Sequence, residues 1–296
     1  MNMMRPVAAP AENDWQAWIN LLRVQPSPQL IESIAATLCD YLEQNRLACF
    51  VLGLSGGIDS SFLAALLHQK DIPFVGFSLP LATNSLPEKQ RAEAVAGTYT
   101  SSYGRGLGLP AVCDFSDLYN NLSACFSSVI PSSPVSGGNL QARLRMMFLY
   151  HIAHGLGGCV VSTDQLDEFL TGFWTMHGDV GDVSPLQLLP KTTEYALARL
   201  LLPQLRDPAP LRAAIEALPT DGLGISSSSL EQLGVESYAE LEAIFLEYFL
   251  LRQQEEKGAC GERGRLNELS QSVPVRRFLA SGFKRRGSLL FWPESV

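Results

Sequence analysis

The chain has 296 residues, 46% hydrophobic and 18% charged, a balance that excludes a disordered or membrane-embedded protein. Against 22 Lys and Arg stand 30 Asp and Glu, and the formal charge of −8 argues against a general nucleic-acid binder as partner. The cysteines (Cys39, Cys49, Cys113, Cys125, Cys159, Cys260) are scattered, without zinc spacing, as expected of thiols in a reducing compartment. The start of the chain lacks the apolar region of a signal peptide, and no apolar stretch approaches the roughly 18 residues of a spanning helix. A cytoplasmic location is expected, with no membrane partner.

Residues 1–28 read as an N-terminal extension with one short helix over Trp15–Leu22. From Gln29 to Asn45, Leu30, Ile31, Ile34, Leu38 and Leu42 recur at helical spacing and predict a helix. Leu47 to Leu54 is a continuous apolar run, the pattern of a buried parallel strand. A helix over Ser60–Gln69 and a strand over Phe74–Leu79 complete a βαβ unit. Residues 131–138 predict a loop, and Asn139–His154 a helix with Leu140, Leu144, Met147, Phe148, His151 and Ile152 as its apolar stripe. Gly158–Ser162 predicts another strand. The Gly- and Ser-rich stretch Leu218–Ser229 reads as a loop, and the polar region 253–272 as exposed or partly disordered. The fold class is therefore α/β, a doubly wound parallel sheet flanked by helices, with one domain over 29–296 behind the extension.

The segment with the strongest chemical signal is Leu54-Ser55-Gly56-Gly57-Ile58-Asp59-Ser60-Ser61, between the first strand and its helix. A turn there turns backbone N–H groups at a helix N-terminus toward an anion. Gly56 and Gly57 let the backbone bend and approach a phosphate, and Ser55, Ser60 and Ser61 add hydroxyl donors. Asp59 brings a carboxylate beside those phosphates, useful chiefly if it holds magnesium. No Gly-Lys-Ser/Thr closes the turn, so it is not a P-loop, and the three-glycine dinucleotide fingerprint is missing. The structural alternative is a tight strand-to-helix turn with a serine cap.

The Ser-Gly-Gly-x-Asp-Ser turn resembles the pyrophosphate loop of the N-type ATP pyrophosphatases, which cleave ATP between its α and β phosphates and adenylate a substrate. Three further stretches resemble NAD synthetases: Gly138 to Met146 with its Ala-Arg-x-Arg-Met, Val161-Ser-Thr-Asp-Gln-Leu-Asp-Glu168, and Phe173 to Pro185. The similarity runs from about residue 30 to the C-terminus, and the absence of a glutaminase domain points to the ammonia-using form. The resemblance implies ATP as co-substrate, held by residues 54–61 with Thr163, Lys191 and Thr220, and magnesium held by Asp59 and Glu168. It makes Asp59 and Lys191 the catalytic pair, and assigns Arg143, Asp182, Phe283 and Lys284 to the substrate. It also implies a homodimer packed through helix 139–154, and lids near 82–90 and 218–230.

Several positions depart from that pattern. Ser78-Leu-Pro-Leu81 lacks the family's arginine and tyrosine, Met176 stands for a lysine, Ala217 for another, and Phe283 for a histidine. Most of these changes fall where a dinucleotide acid would sit. The expected function is ATP-dependent adenylation of deamido-NAD and transfer to ammonia, giving NAD, AMP and pyrophosphate, with Arg285 or Arg286 replacing lost cations. Two alternatives stay open: a paralogue amidating a less anionic acid, and a nucleotide-binding protein without turnover. A tRNA-thiolating enzyme fits least, because paired cysteines are missing and the chain is acidic.

Overall fold

The computed structural model describes residues 9–81, 83–219, 228–258 and 262–286. Helix α1 (Trp15–Leu22) precedes α2 (Pro28–Asn45), which Ser27 caps by accepting from the Leu30 amide at 3.1 Å. Strand β1 (Phe50–Leu54), α3 (Ile58–Gln69) and β2 (Phe74–Ser78) form the expected unit. Helices α4 (Leu86–Thr98), α5 (Ser102–Leu107), α6 (Ser116–Ser127) and α7 (Pro134–Leu156) lead to β3 (Cys159–Val161). The rest is helical: α8 (Leu166–Thr171), α9 (Lys191–Leu201), α10 (Ala209–Glu216), α11 (Ser229–Leu233), α12 (Tyr238–Glu256), α13 (Arg263–Gln271), α14 (Val273–Ala280) and α15 (Gly282–Arg285).

The strands are parallel in the order β2-β1-β3, with Phe50 opposite Phe74 on one side and Cys159 on the other. Phe50, Leu52 and Leu54 enter a core with α2, α3 and α9, while Val51 meets Val75, Met146 and Leu149 on the opposite face. Helices cover both faces, which explains why β1 is apolar throughout rather than alternating. From β1 the chain moves to β2 on one side and later to β3 on the other. The crevice beyond the carboxyl ends of β1 and β3 is thus a switch point, where open α/β sheets bind ligands.

A second core joins α1, α8, α12 and α14. Trp15, Trp18 and Ile19 pack there against Phe169, Phe245, Phe249 and Phe278, with Trp18 only 1% exposed. Losing such a ring costs roughly 3–5 kcal/mol, so α1 is bound into the molecule rather than appended to it.

Three expectations need correction. Residues 134–138 are not loop: Ser133 caps α7 by accepting from the Ser136 amide at 3.1 Å, and Pro134 sits at the first helical position. The region 253–272 is largely exposed, as expected, but it is helical where described, holding the end of α12 and all of α13, whose Leu266 and Leu269 are buried in the second core. On α7 the buried residues are Gly138, Gln141, Ala142, Leu144, Met146, Leu149 and Ala153; Phe148 and Ile152 pack partly buried on the core, but Met147 is 60% exposed and His151 exposed. The stripe is displaced because the helix turns its small and medium side chains to the sheet.

Candidate active site

At the carboxyl end of β1, Gly56 has φ 78°, a conformation that favours glycine. A Cβ there would also lie 2.7 Å from the Ala92 amide nitrogen, so Gly56 permits close packing on α4 rather than approach to a phosphate. Its carbonyl accepts from Arg91 Nε at 3.1 Å. Gly57 occupies the N-cap position of α3, where no side chain takes up the first amides. The Ser55 amide donates to Ser60 Oγ at 3.1 Å, so Ser60, 1% exposed, braces the turn. Ser61 is fully buried and its hydroxyl has no hydrogen-bond partner. Neither Ser60 nor Ser61 faces the crevice, contrary to the donor role expected of them; Leu54, Ser55, Gly57 and Asp59 do.

The crevice is a cavity of about 540 Å3. Opposite the turn, Lys191 begins α9 and is 3% exposed. Its ammonium pairs with Asp59 and lies 3.5 Å from Glu194 Oε2 and 5.7 Å above the Tyr238 ring. Burial opposes that charge, but Asp59, Glu194 and Glu168 together hold the Lys191 pKa well above its ordinary value. Pro190, at the cap position of α9, supplies no side-chain hydrogen bond, so other helices cap it. The Lys191 amide donates to Asp167 Oδ2 at 3.3 Å and the Thr192 amide to Glu242 Oε1 at 2.8 Å. Carboxylates from α8 and α12 thereby fix the root of the Lys191 side chain.

Beyond β3, Thr163 and Asp164 line the cavity, followed by Glu168 on the first turn of α8. Burial, then the charge of Asp59, pushes Glu168 up to about 8. Asp164 is raised well above the carboxylate range by burial and then by Glu168. Negative charge is in excess here. No group of three metal-ligating side chains gathers among the described residues, so a divalent ion would rest on Asp59, Glu168 and ligand oxygens. Two carboxylates plus phosphates is the donor set magnesium takes in nucleotide sites, and a cation would relieve their repulsion.

Also lining the cavity, Arg145 donates from Nε to the Leu79 carbonyl at 3.0 Å and from Nη2 to Asn84 Oδ1 at 2.8 Å. Arg277 donates to the Thr171 carbonyl at 3.1 Å, and Lys284 Nζ to the carbonyls of Gly172 at 2.8 Å and Trp174 at 2.5 Å. Among the described residues none of these three cations takes part in an ion pair. Asp179 also lines the cavity and accepts from the Thr175 amide at 2.5 Å.

The sequence-derived substrate set divides. Lys284 lines the cavity. Arg143 is exposed, donates to the Met176 carbonyl at 3.2 Å and does not line the cavity, whereas Arg145 does. Asp182 braces β3, accepting from the Val160 amide at 2.9 Å and the Tyr150 hydroxyl at 3.1 Å, outside the cavity. Phe283 is 59% exposed and also outside. Thr220 lies outside the described residues, as does most of Leu218–Ser229; Ala217, Leu218 and Pro219 reach the cavity rim. From residue 86 the expected lid near 82–90 is helix α4, closed by a Ser85–Glu88 capping box, with Lys89 and Arg91 on the cavity wall. Arg285 and Arg286 pair with Glu12 and do not replace the missing cations. Arg145, Arg277 and Asp179 were missed, and only the Arg-x-Arg spacing on α7 offered a sequence signal for any of them.

The family model described as NAD synthase matches residues 30–287. The chain is 30% identical over 280 residues to an NH3-dependent NAD+ synthetase of Methanopyrus kandleri, covering 90% of each chain. It is 32% identical over 233 residues to one of Thermococcus kodakarensis, covering 77% of this chain and 83% of that one. Among solved structures, an NMN synthetase from Francisella tularensis superposes with a TM-score of 0.67 at 25% identity, covering 90% of this chain and 98% of that one.

Proposed function

The chain belongs to the NAD synthase family and is an ATP-dependent carbon–nitrogen ligase, and from that premise we propose how the cavity divides its labour. The observation that carries the reading is Lys191, paired with Asp59 beside the β1 turn, in a cavity that carbonyl-anchored cations also line. ATP lies with its phosphates on the Ser55–Asp59 turn and the open amides of α3. Asp59 and Glu168 hold magnesium, which supplies neutralisation of phosphate charge. Lys191, beside Asp59 on the cavity wall, offers its positive charge to the phosphates, where charge develops as pyrophosphate departs.

The acid is deamido-NAD, its own phosphates drawn by Arg145, Arg277 and Lys284. Its carboxylate oxygen attacks the α phosphorus, pyrophosphate leaves, and an acyl adenylate forms. Neutral ammonia then attacks the acyl carbon, the carbon–oxygen bond breaks, and the amide and AMP separate after loss of a proton. The protein's part is to align the reacting atoms and offset charge.

No helix among the described residues is long and apolar enough to cross a membrane, which accords with a cytoplasmic enzyme. Residues 29–296 form the catalytic domain on this reading, and α1 packs on it through Trp15, Trp18 and Ile19. A homodimer is supported by exposed apolar side chains on and beside α6 and α7: Phe126, Val129 (85% exposed), Ile130, Val135, Met147 and Tyr150. The functional test measures pyrophosphate and NAD together, with ATP, magnesium, ammonium and deamido-NAD, and with Asp59→Ala as the blank. Equal amounts of both products support the reading. Turnover of a mononucleotide acid and none of deamido-NAD would transfer the assignment to a smaller, less anionic substrate.

A further inference from the structure

The matched family region begins at residue 30, yet the segment before it contacts the helix that carries the cavity-lining Lys284. Glu12, just ahead of α1, places Oε2 2.7 Å from Arg286 Nη2 and Oε1 3.5 Å from Arg285 Nη2. Arg286 is a surface residue, but the Arg285 side chain is only 4% exposed. The buried guanidinium donates to the carbonyls of Leu170 at 3.0 Å and Phe278 at 2.6 Å, tying α15 to the end of α8 and to α14. The next side chain back, Lys284, grips the Gly172 and Trp174 carbonyls, which are cavity wall.

Close packing seals both layers. A Cβ on Gly282, the first residue of α15, would run into the Glu12 carboxylate. One on Gly172, which has φ 63°, would run into Ser281. Behind Glu12, Trp15 and Trp18 anchor α1 in the second core beside Phe169 and Phe278. Burial brings the Arg285 pKa down to about 10, and Glu12 opposes that fall, as the counter-ion of a buried cation does.

We propose that Glu12 is a positioning residue for the acid substrate, holding α15 through Arg285 so that Lys284 and the 172–174 wall keep their place. Glu12 itself touches no substrate. Its effect is confined to the part of the cavity lined by Lys284, Gly172 and Trp174, and the proposal rests on the reading that the acid is held there.

The test uses the full chain and follows the KM for deamido-NAD, the KM for ATP and kcat. Glu12→Gln keeps the shape and removes the charge. It raises the KM for deamido-NAD by about tenfold while the KM for ATP stays within about twofold, because small misplacements of a binding group are costly. Glu12→Asp restores much of the loss. Gly282→Ala, which displaces the same carboxylate without discharging it, gives the same signature, and Arg286→Gln leaves both KM values unchanged. A purely structural role predicts instead a lower Tm and a smaller kcat with both KM values intact, and that result overturns the proposal. If wild-type protein turns over deamido-NAD and Glu12→Gln does so with an unaltered KM, only the role of Glu12 falls. A wild-type chain inert toward deamido-NAD overturns the reading of the cavity and this role with it.

Discussion

The two ends of the cavity are built in different ways. At the nucleotide end one contiguous turn, Ser55 to Asp59, joins strand to helix and meets Lys191, whose charge is already paired with carboxylates, with Arg91 bracing the turn through the Gly56 carbonyl. At the acid end the cations come from α7, α14 and α15 and hydrogen-bond to carbonyls, without ion pairs among the described residues. Paired charge keeps a buried ammonium ionised beside the turn, ready to face the phosphates. Cations held by carbonyls keep their full charge for an anion, with geometry fixed by the backbone. On the proposed function, the first arrangement serves chemistry and the second serves selection.

Substitutions should separate the two. The largest effect is expected from Lys191→Met: about 10³-fold loss in kcat for pyrophosphate release, with the acid still bound, because a preorganised charge facing the departing phosphate is lost. Next come Arg277→Met and Arg145→Gln. Each raises the KM for the acid by about 10- to 100-fold, matching the ~1.5–3 kcal/mol of a charge-assisted contact, and leaves the KM for ATP near wild type. Arg143→Gln, measured beside Arg145→Gln, should give the smaller increase. If the order reverses, the acid is gripped from the other side of α7 and the comparison fails.

How these ends read from the sequence differs for the same reason. The nucleotide end is local: an apolar run, two glycines and an aspartate within twelve residues of one another announce a strand, a turn and an anion site. The acid end is not local. Arg277 is placed by a bond to the Thr171 carbonyl 106 residues earlier, and a carbonyl leaves no mark in a sequence. Resemblance led to Arg143 on the right helix, but the burial of α7 was read one stripe away from its true face. Ser60 braces the turn and Ser61 is buried away from the cavity, a distinction the turn pattern does not carry because it does not tell a brace from a ligand. The boundary at 28 missed α1's part in the second core, since two tryptophans in a short segment do not say what they pack on.

A smaller effect is expected from pH. Glu168 is raised from its ordinary value to about 8 by burial and the Asp59 charge, so the folded chain binds a proton there that the unfolded chain has already lost. That contribution is fully present below the unfolded carboxyl pKa and is lost as pH rises through about 8. Urea midpoints without nucleotide or metal should therefore fall across that window, and Glu168→Gln should flatten the slope. An unchanged slope would mean that Glu168 is ionised throughout. The least effect belongs to Ser61→Ala, which removes a buried hydroxyl with no partner and should be neutral or slightly stabilising, with unchanged KM for ATP. A clear rise in that KM would place Ser61 back among the phosphate donors.

The central claim is that the carboxylate is activated as its adenylate at the junction of the two ends. Deamido-NAD labelled with 18O in its carboxylate tests this most directly, with the AMP and pyrophosphate analysed by mass after turnover with ammonium. One labelled oxygen in AMP and none in pyrophosphate is the predicted result, because the attacking oxygen stays on the α phosphorus when ammonia breaks the bond to carbon. AMP free of label would contradict an acyl adenylate and the division of the cavity built on it.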